Sequence, residues 1–204
     1  MVFKIDKVPL PFDYVAEFNY YYFFFEDYKK QQISNNVIYN LKLLTKGDMR
    51  SAYLFLTNYL KTNYKFYRIF AFEEFEYNFL QNKFIDTYIS FDKNGYINNF
   101  INIYKTTYNI NKEYRGRDQR SQHLMCETHH LGIDLKYFVY LNINVIHELL
   151  KMYCDNFDVF LFVDTQKNRL LINELSNIII KGGKTYIQLY NYSCKMDKTD
   201  IGFS

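Results

Sequence analysis

FNYYYFFFED, residues 18–27, decides how this chain is read: seven aromatic rings fill the eight positions from Phe18 to Phe25. A segment of such high β-propensity, low charge and no proline is an aggregation hazard when exposed, so it must be buried in a sheet or meet an intended partner. Residues 17–25 have no polar face, which is the pattern of a strand covered on both sides. Its central residues read as core.

Working outward, Pro9 and Pro11 mark an extended entry segment. EDYKKQQISNN reads as a polar turn, and VIYNLKLL, 37–44, as a strand pairing back on the first in an antiparallel hairpin. The period then changes. Asp48 is placed to cap a helix whose apolar positions Met49, Ala52, Tyr53, Leu56, Tyr59 and Leu60 recur at i, i+3, i+4 spacing. KFYRIFAFEEF, 65–75, and FIDTYISF, 84–91, return to strand character, and Asn94-Gly95 offers a turn into YINNFINIY, 96–104. Residues 112–130 form a polar middle with neither period. LKYFVYL, 135–141, reads as a strand, VIHELLKMY, 145–153, as a short helix, and FDVFLFVD, 157–164, as a strand. RLLINELSNIII, 169–180, fits either a helix ending at Gly182-Gly183 or a further strand, and TYIQLYNY, 185–192, alternates as a strand. Strands outnumber helices and are joined mostly by short polar turns. The expected class is α+β, a mainly antiparallel sheet or sandwich with a few peripheral helices packed to one side.

The chain of 204 residues is long enough for one domain, 1–204, with a sizeable core. Hydrophobic residues make up 49% and charged residues 23%, the balance of a globular chain. Its 22 Tyr and 20 Phe stand beside only 7 Gly, 2 Pro and no Trp, a bias that AT-rich codons also produce. The net charge of +3 is dispersed, so nucleic acid is not an expected partner. Cys126, Cys154 and Cys194 show no CxxC spacing, which points to a reducing compartment. The amino terminus lacks a signal-peptide pattern, and no apolar run approaches the ~20 residues that span a bilayer. A soluble cytoplasmic protein with no membrane partner is expected.

HLMCETHH, 123–130, holds the densest set of metal-capable side chains. On a helix His123, Cys126 and His130 share a face at i, i+3, i+7, with His129 adjacent, and thiolate with imidazole suits Zn²⁺. A closed site would need His147, Cys154 or Cys194 as well, so a polar connector is the plainer reading and no metal is assigned. No GxGxxG or GxxxxGK[ST] loop supports the nucleotide-binding look of FDVFLFVD followed by IIIKGGKTYIQLY, so Gly182-Gly183 reads as a turn or helix stop. GxSxG is absent too. Glu73, Glu74 and Glu76 read as a solvated strand edge rather than catalytic acids. EYRGRDQR, 113–120, sets Arg115, Arg117 and Arg120 around Gly116, with Glu113 and Asp118 between them. Such guanidinium groups fork onto carboxylates or phosphates, or pair locally.

The motif YRGRDQR, 114–120, with the aromatic strand pair and the helix after Asp48, resembles the cypovirus polyhedrins, which crystallise in infected insect cells and embed virions. The resemblance implies a viral occlusion-body matrix protein without catalysis, its partners being further copies of itself and virus particles. Tyrosine independently favours contact making, with a rigid apolar body and a polar tip. Tyr137, Tyr140, Tyr186, Tyr190 and Tyr192, with Arg115, Arg117 and Arg120, are the expected self-assembly or anion contacts, and alkali would dissolve a lattice sealed by tyrosine. Two alternatives stand beside this: a small metal- or nucleotide-binding viral enzyme or regulator taking Zn²⁺ or a nucleotide, and an RNA- or nucleotide-binding module stacking bases on tyrosines beside the arginines.

Overall fold

A computed structural model of the chain describes residues 2–3, 14–31, 40–111, 127–139, 144–165, 168–189 and 201–202. In chain order these form β1 (Val2–Phe3), β2 (Tyr14–Phe24), α1 (Phe25–Lys30), β3 (Lys42–Leu43), α2 (Met49–Asn63), β4 (Phe66–Ile69), α3 (Phe72–Glu76), β5 (Ile85–Phe91), β6 (Ile97–Asn111), β7 (Glu127–Val139), α4 (Asn144–Tyr153), β8 (Val159–Val163), α5 (Arg169–Glu174), β9 (Ile180–Leu189) and β10 (Ile201–Gly202). Seven strands make the main sheet in the order β3-β5-β6-β7-β8-β2-β9. Its neighbours pair antiparallel, except that β7 and β8 run parallel. A second sheet joins β1, β4 and β10. The class is α+β, as the sequence implied.

The aromatic stretch is core, and it is covered on both faces. Phe23 and Phe25 pack with Phe160, Phe162 and the helix residues Val145, Ile146, Leu149 and Leu150, while Tyr22 and Phe24 pack on Val159 from the other side. β5 and β6 divide in the same way. Tyr88, Ile101 and Ile103 face α4, whereas Ile89 and Phe100 face α2 and the phenylalanines of the α3 region. Helices therefore cover both faces of the sheet, not one side as expected. Strands sandwiched like this must be apolar at successive positions, which explains why these segments lack a clean alternation.

Helix α2 forms where the apolar spacing placed it, with Met49, Ala52, Leu56 and Leu60 buried. Asp48, expected to cap α2, makes no side-chain cap bond to it; a capping box instead closes the 3-10 turn Lys46–Asp48 just before the helix, where the Thr45 side chain accepts the Asp48 amide and the Asp48 carboxylate accepts the Thr45 amide, with Thr45 Oγ1 also donating to Asp48 Oδ2 at 2.6 Å. The β5–β6 hairpin also forms, turning at Gly95, whose φ of +80° suits glycine.

Four local expectations are corrected. β2 does not pair with the described part of 37–44, residues 40–44: β3 lies on β5 (Lys42↔Ile89, Leu43↔Tyr88), and β2 is flanked by β8 and β9 from the far end of the chain. The polar EDYKK is not a turn but α1, where Lys30 reaches both Glu26 and Asp27. FEEFE is helix α3 instead of a strand edge, because Phe75 and Phe79 bury on one helical face and Glu74 pairs with Arg68. The segment 169–180 divides into α5 and the start of β9. Gly182-Gly183 lies inside β9, where the ladder steps from Asn19↔Lys184 to Tyr21↔Lys181, so two residues oppose one in a bulge. A Cβ at Gly182 would meet the Tyr22 ring at 3.4 Å, in van der Waals contact, so β9 packs closely on that ring at the bulge.

Two polar rungs cross the buried β5–β6 pair: Asn102 Nδ2 donates to Thr87 Oγ1 at 2.9 Å, and Asn99 Nδ2 donates to Ser90 Oγ at 2.7 Å. Asn102→Ala leaves the Thr87 hydroxyl buried without its donor, and urea unfolding is expected to show a loss of about 1–3 kcal/mol. Combining it with Thr87→Val should restore part of that loss, and an equal or larger loss in the double variant would refute the pairing.

Candidate functional site

The parallel contact between β7 and β8 is short. It comprises Gly132↔Val159, Ile133↔Phe160 and Asp134↔Leu161, and among the described residues it ends there. Each strand then stays with its outer neighbour: β7 pairs with β6 as far as Val139↔Phe100, and β8 pairs with β2 as far as Val163↔Tyr20. The sheet consequently opens between residues 135–139 of β7 and 162–163 of β8. Leu135 and Phe162, on the two strands that flank it, are both buried. Helix α4 begins at Asn144, five residues after the end of β7 at Val139, so its amino terminus follows the open end of that strand.

Three physical properties coincide at this opening. It lies at the carboxyl ends of adjacent parallel strands, where α/β sheets receive ligands. Strand backbone turned toward a gap can pair with an extended, amide-bearing ligand as an added strand would. The first turn of a ten-residue helix offers N–H groups and a positive dipole end to an anion.

Two polar contacts hold α4 in place. At its first turns the fully buried His147 receives Tyr28 of α1, with Tyr28 Oη 3.2 Å from Nδ1, and its Nε2 lies 3.7 Å from Glu174 of α5, beyond hydrogen-bond reach. Burial pushes the His147 imidazole below its ordinary range and outweighs the opposing pull of Glu174, while Lys151 lowers it further. At the helix end Tyr153 Oη donates to Asp86 Oδ2 at 2.5 Å, lies 2.9 Å from Tyr88 Oη, and Lys105 Nζ reaches Asp86 Oδ1 at 2.7 Å. Burial is the main force raising the Tyr28, Tyr88 and Tyr153 hydroxyls above the ordinary phenol range. A shallow groove of about 440 Å³, lined by Phe84, Tyr104, Lys105, Leu131 and Phe157 among others, adjoins Lys105.

Among the described residues singled out from the sequence, Tyr137 lies on the stretch of β7 that borders the opening and His147 on α4, whereas His129, His130 and Tyr186 lie elsewhere. His129 and His130 sit on β7 opposite Asn109 and Tyr108, and because 127–130 is strand the expected i, i+3, i+7 helical face does not form. Tyr137 is on β7 and Tyr186 is on β9 opposite Glu17. His123, Cys126, Arg115, Arg117, Arg120, Tyr140, Tyr190, Tyr192 and Cys194 fall outside the described residues, as does the motif 114–120. His147 is a core histidine on Tyr28, and no group of three His, Cys, Asp or Glu fit for a metal occurs among the described residues. No helix among them is long and apolar enough to cross a membrane. The opening itself was missed, although its signal was present: a strand, a helix and a wholly apolar strand in succession, 135–164, is the pattern of a parallel crossover.

Neither a protein-family model nor a curated protein matches this sequence. Solved structures do. Saccharomyces cerevisiae N-myristoyltransferase with bound myristoyl-CoA superimposes with a TM-score of 0.66 at 16% identity, over 90% of this chain and 54% of that one. The same enzyme with myristoyl-CoA and inhibitors gives 0.63 at 18% identity, over 90% and 52%. The chain therefore shares its fold with an acyltransferase and spans about half of that enzyme's length.

This finding corrects the functional expectation. The fold is shared with a transfer enzyme, which overturns the non-catalytic occlusion-body matrix and fits neither the metal- or nucleotide-binding nor the RNA-binding alternative. The tyrosines agree with the correction, because Tyr22, Tyr28, Tyr67, Tyr88 and Tyr153 are buried within a single chain.

Stability should fall at both ends of the pH scale. The unfolded chain protonates its histidines near pH ~6.5 while folded His147 resists the proton, so stability drops as pH falls below that value. Unfolded tyrosines ionise near pH ~10 while the buried ones resist, so stability is complete below that value and drops as pH rises through it. Melting curves from pH 4 to 11 test this, with His147→Gln expected to flatten the acid limb. An acid limb that is unchanged in that variant would assign it to other groups.

Proposed function

We propose that this chain is an acyl-CoA-binding domain of N-acyltransferase type, which holds a fatty acyl thioester in the opening between β7 and β8. The observation that carries the reading is the three-rung parallel contact that parts into an open-ended gap. Support comes from the shared fold, since the neighbouring enzyme was crystallised with myristoyl-CoA. The chemistry of the ligand suits the site. Coenzyme A combines an amide-bearing arm, which can lie along strand backbone, with phosphates that suit the amino terminus of α4. In the transfer an amine nitrogen attacks the thioester carbonyl, a C–N bond forms, the C–S bond breaks, and the nitrogen gives up a proton as the thiol leaves. The domain's contribution is to hold the thioester extended and away from water.

Titration with myristoyl-CoA, followed by amide hydrogen exchange, tests the reading. Saturable binding is expected, with protection concentrated at 135–139 and at the start of α4. Absence of binding, or protection confined to other strands, would overturn it. Protection of the same amides by an amine-bearing peptide but not by the thioester would assign the opening to the acceptor, and would overturn the acyl-CoA assignment equally.

A further inference from the structure

His147 is 1% exposed, and its two ring nitrogens meet different elements. Nδ1 lies 3.2 Å from Tyr28 Oη of α1, while Nε2, buried without a hydrogen-bond partner, lies 3.7 Å from Glu174 Oε1 at the end of α5. The carboxylate favours one tautomer. A bare Nε2 would set its lone pair against a negative oxygen, so Nε2 carries the hydrogen and Nδ1 accepts from Tyr28. The neutral ring thus points a buried N–H at an acceptor that it does not reach. Glu174 has no other side-chain partner among the described residues, and its side chain is half exposed, which leaves it able to swing in.

Adding a proton changes what each neighbour must do. The imidazolium is a donor at both nitrogens, so Tyr28 Oη turns from donor to acceptor. Nε2–H then forms a charge-assisted bond, whose usual N···O length of about 2.7–2.9 Å draws Glu174 in by roughly 1 Å. We propose that His147 and Glu174 form a proton-operated latch between α4 and α5, open while the imidazole is neutral and closed when it is protonated. The latch stands on the contacts of α4 with α1 and α5, independently of the acyl-CoA reading. Among the described residues, the titratable and charged groups facing the ring are Tyr28 from α1, Glu174 from α5 and Lys151 one turn along α4, with Cys154 acting on Tyr28. Burial and Lys151 oppose the proton and Glu174 favours it, so closure falls on the acid side of the ordinary histidine range. Helix α4 follows the open end of β7 and α5 precedes β9, so the closed latch ties the helix at the opening to the chain entering the last strand of the sheet.

The test follows the ring nitrogens of His147 by long-range ¹H–¹⁵N correlation in the ¹⁵N-labelled wild-type chain from pH ~8 to ~4, together with the backbone amides of α5. At the neutral end Nε2 alone should carry the hydrogen, and on acidification the amides of α5 should shift with the same midpoint as the ring. In Glu174→Gln that midpoint should move toward acid by about threefold in proton concentration, and the α5 amides should cease to follow it. A hydrogen on Nδ1 at neutral pH, α5 amides that ignore the ring's titration, or unfolding before the ring takes up its proton would each overturn the latch in the wild-type chain, without any variant having to fold. A midpoint that Glu174→Gln leaves in place would overturn it as well.

Discussion

β8 lies between two neighbours and stays aligned with only one of them along its whole length. Five consecutive pairs tie it to β2, from Phe24↔Val159 to Tyr20↔Val163, against three that tie it to β7. The β2 side is reinforced by ring contacts, with Phe23 stacked on Phe160 at 5.2 Å and Tyr21 on Phe162 at 5.9 Å, and by the Asn19–Asp164 clamp at the strand's end. Full burial of a Phe side chain contributes about 1.5–3 kcal/mol, so holding β2 favours that seam over extending the other.

The aromatic stretch is thus neither a bystander nor an assembly surface. It is the strand that recruits β8 and β9, and so it sets where the sheet opens. Its bulge opposite Gly182-Gly183 lets β2 keep both partners while the ladder shifts by one residue. The tyrosines follow the same logic. Tyr28 and Tyr153 place their rings in the core and spend their hydroxyls on His147 and Asp86, anchoring the two ends of α4 beneath the sheet. A tyrosine-rich composition is compatible with contact making, but here a single chain buries much of that aromatic surface itself.

Much of the architecture was legible residue by residue. Helix α2 could be read from its apolar spacing, the β5–β6 hairpin from Asn94-Gly95, and α4 from VIHELLKMY, since each depends on neighbours within a few positions. The doubly covered nature of residues 17–25 was also legible, because a run without a polar face has no other soluble solution. FEEFE was misread because a short segment rich in aromatics and acids satisfies strand and helix periods equally, and tertiary packing of Phe75 and Phe79 against Phe70 and Phe100 selects the helix. Of the candidate site, by contrast, Tyr137 and His147 were singled out in advance, but as a self-assembly contact and a possible metal ligand, and the opening itself was not read. An opening between strands is made of backbone, which leaves no residue motif, and the strand–helix–strand succession of 135–164 signals a parallel crossover without saying where its strands part.

By itself the sequence determined the α+β class, the local elements with strong periods, and the burial of the aromatic strand. The tertiary structure alone decided that β2 pairs with β8 and β9, that β7 and β8 run parallel and part, and that Asn19 meets Asp164. The physical reason is range. Periodicity and capping are local properties, whereas pairing between residues more than a hundred positions apart is settled by which strand buries the most aromatic surface, and that comparison exists only once the chain has folded.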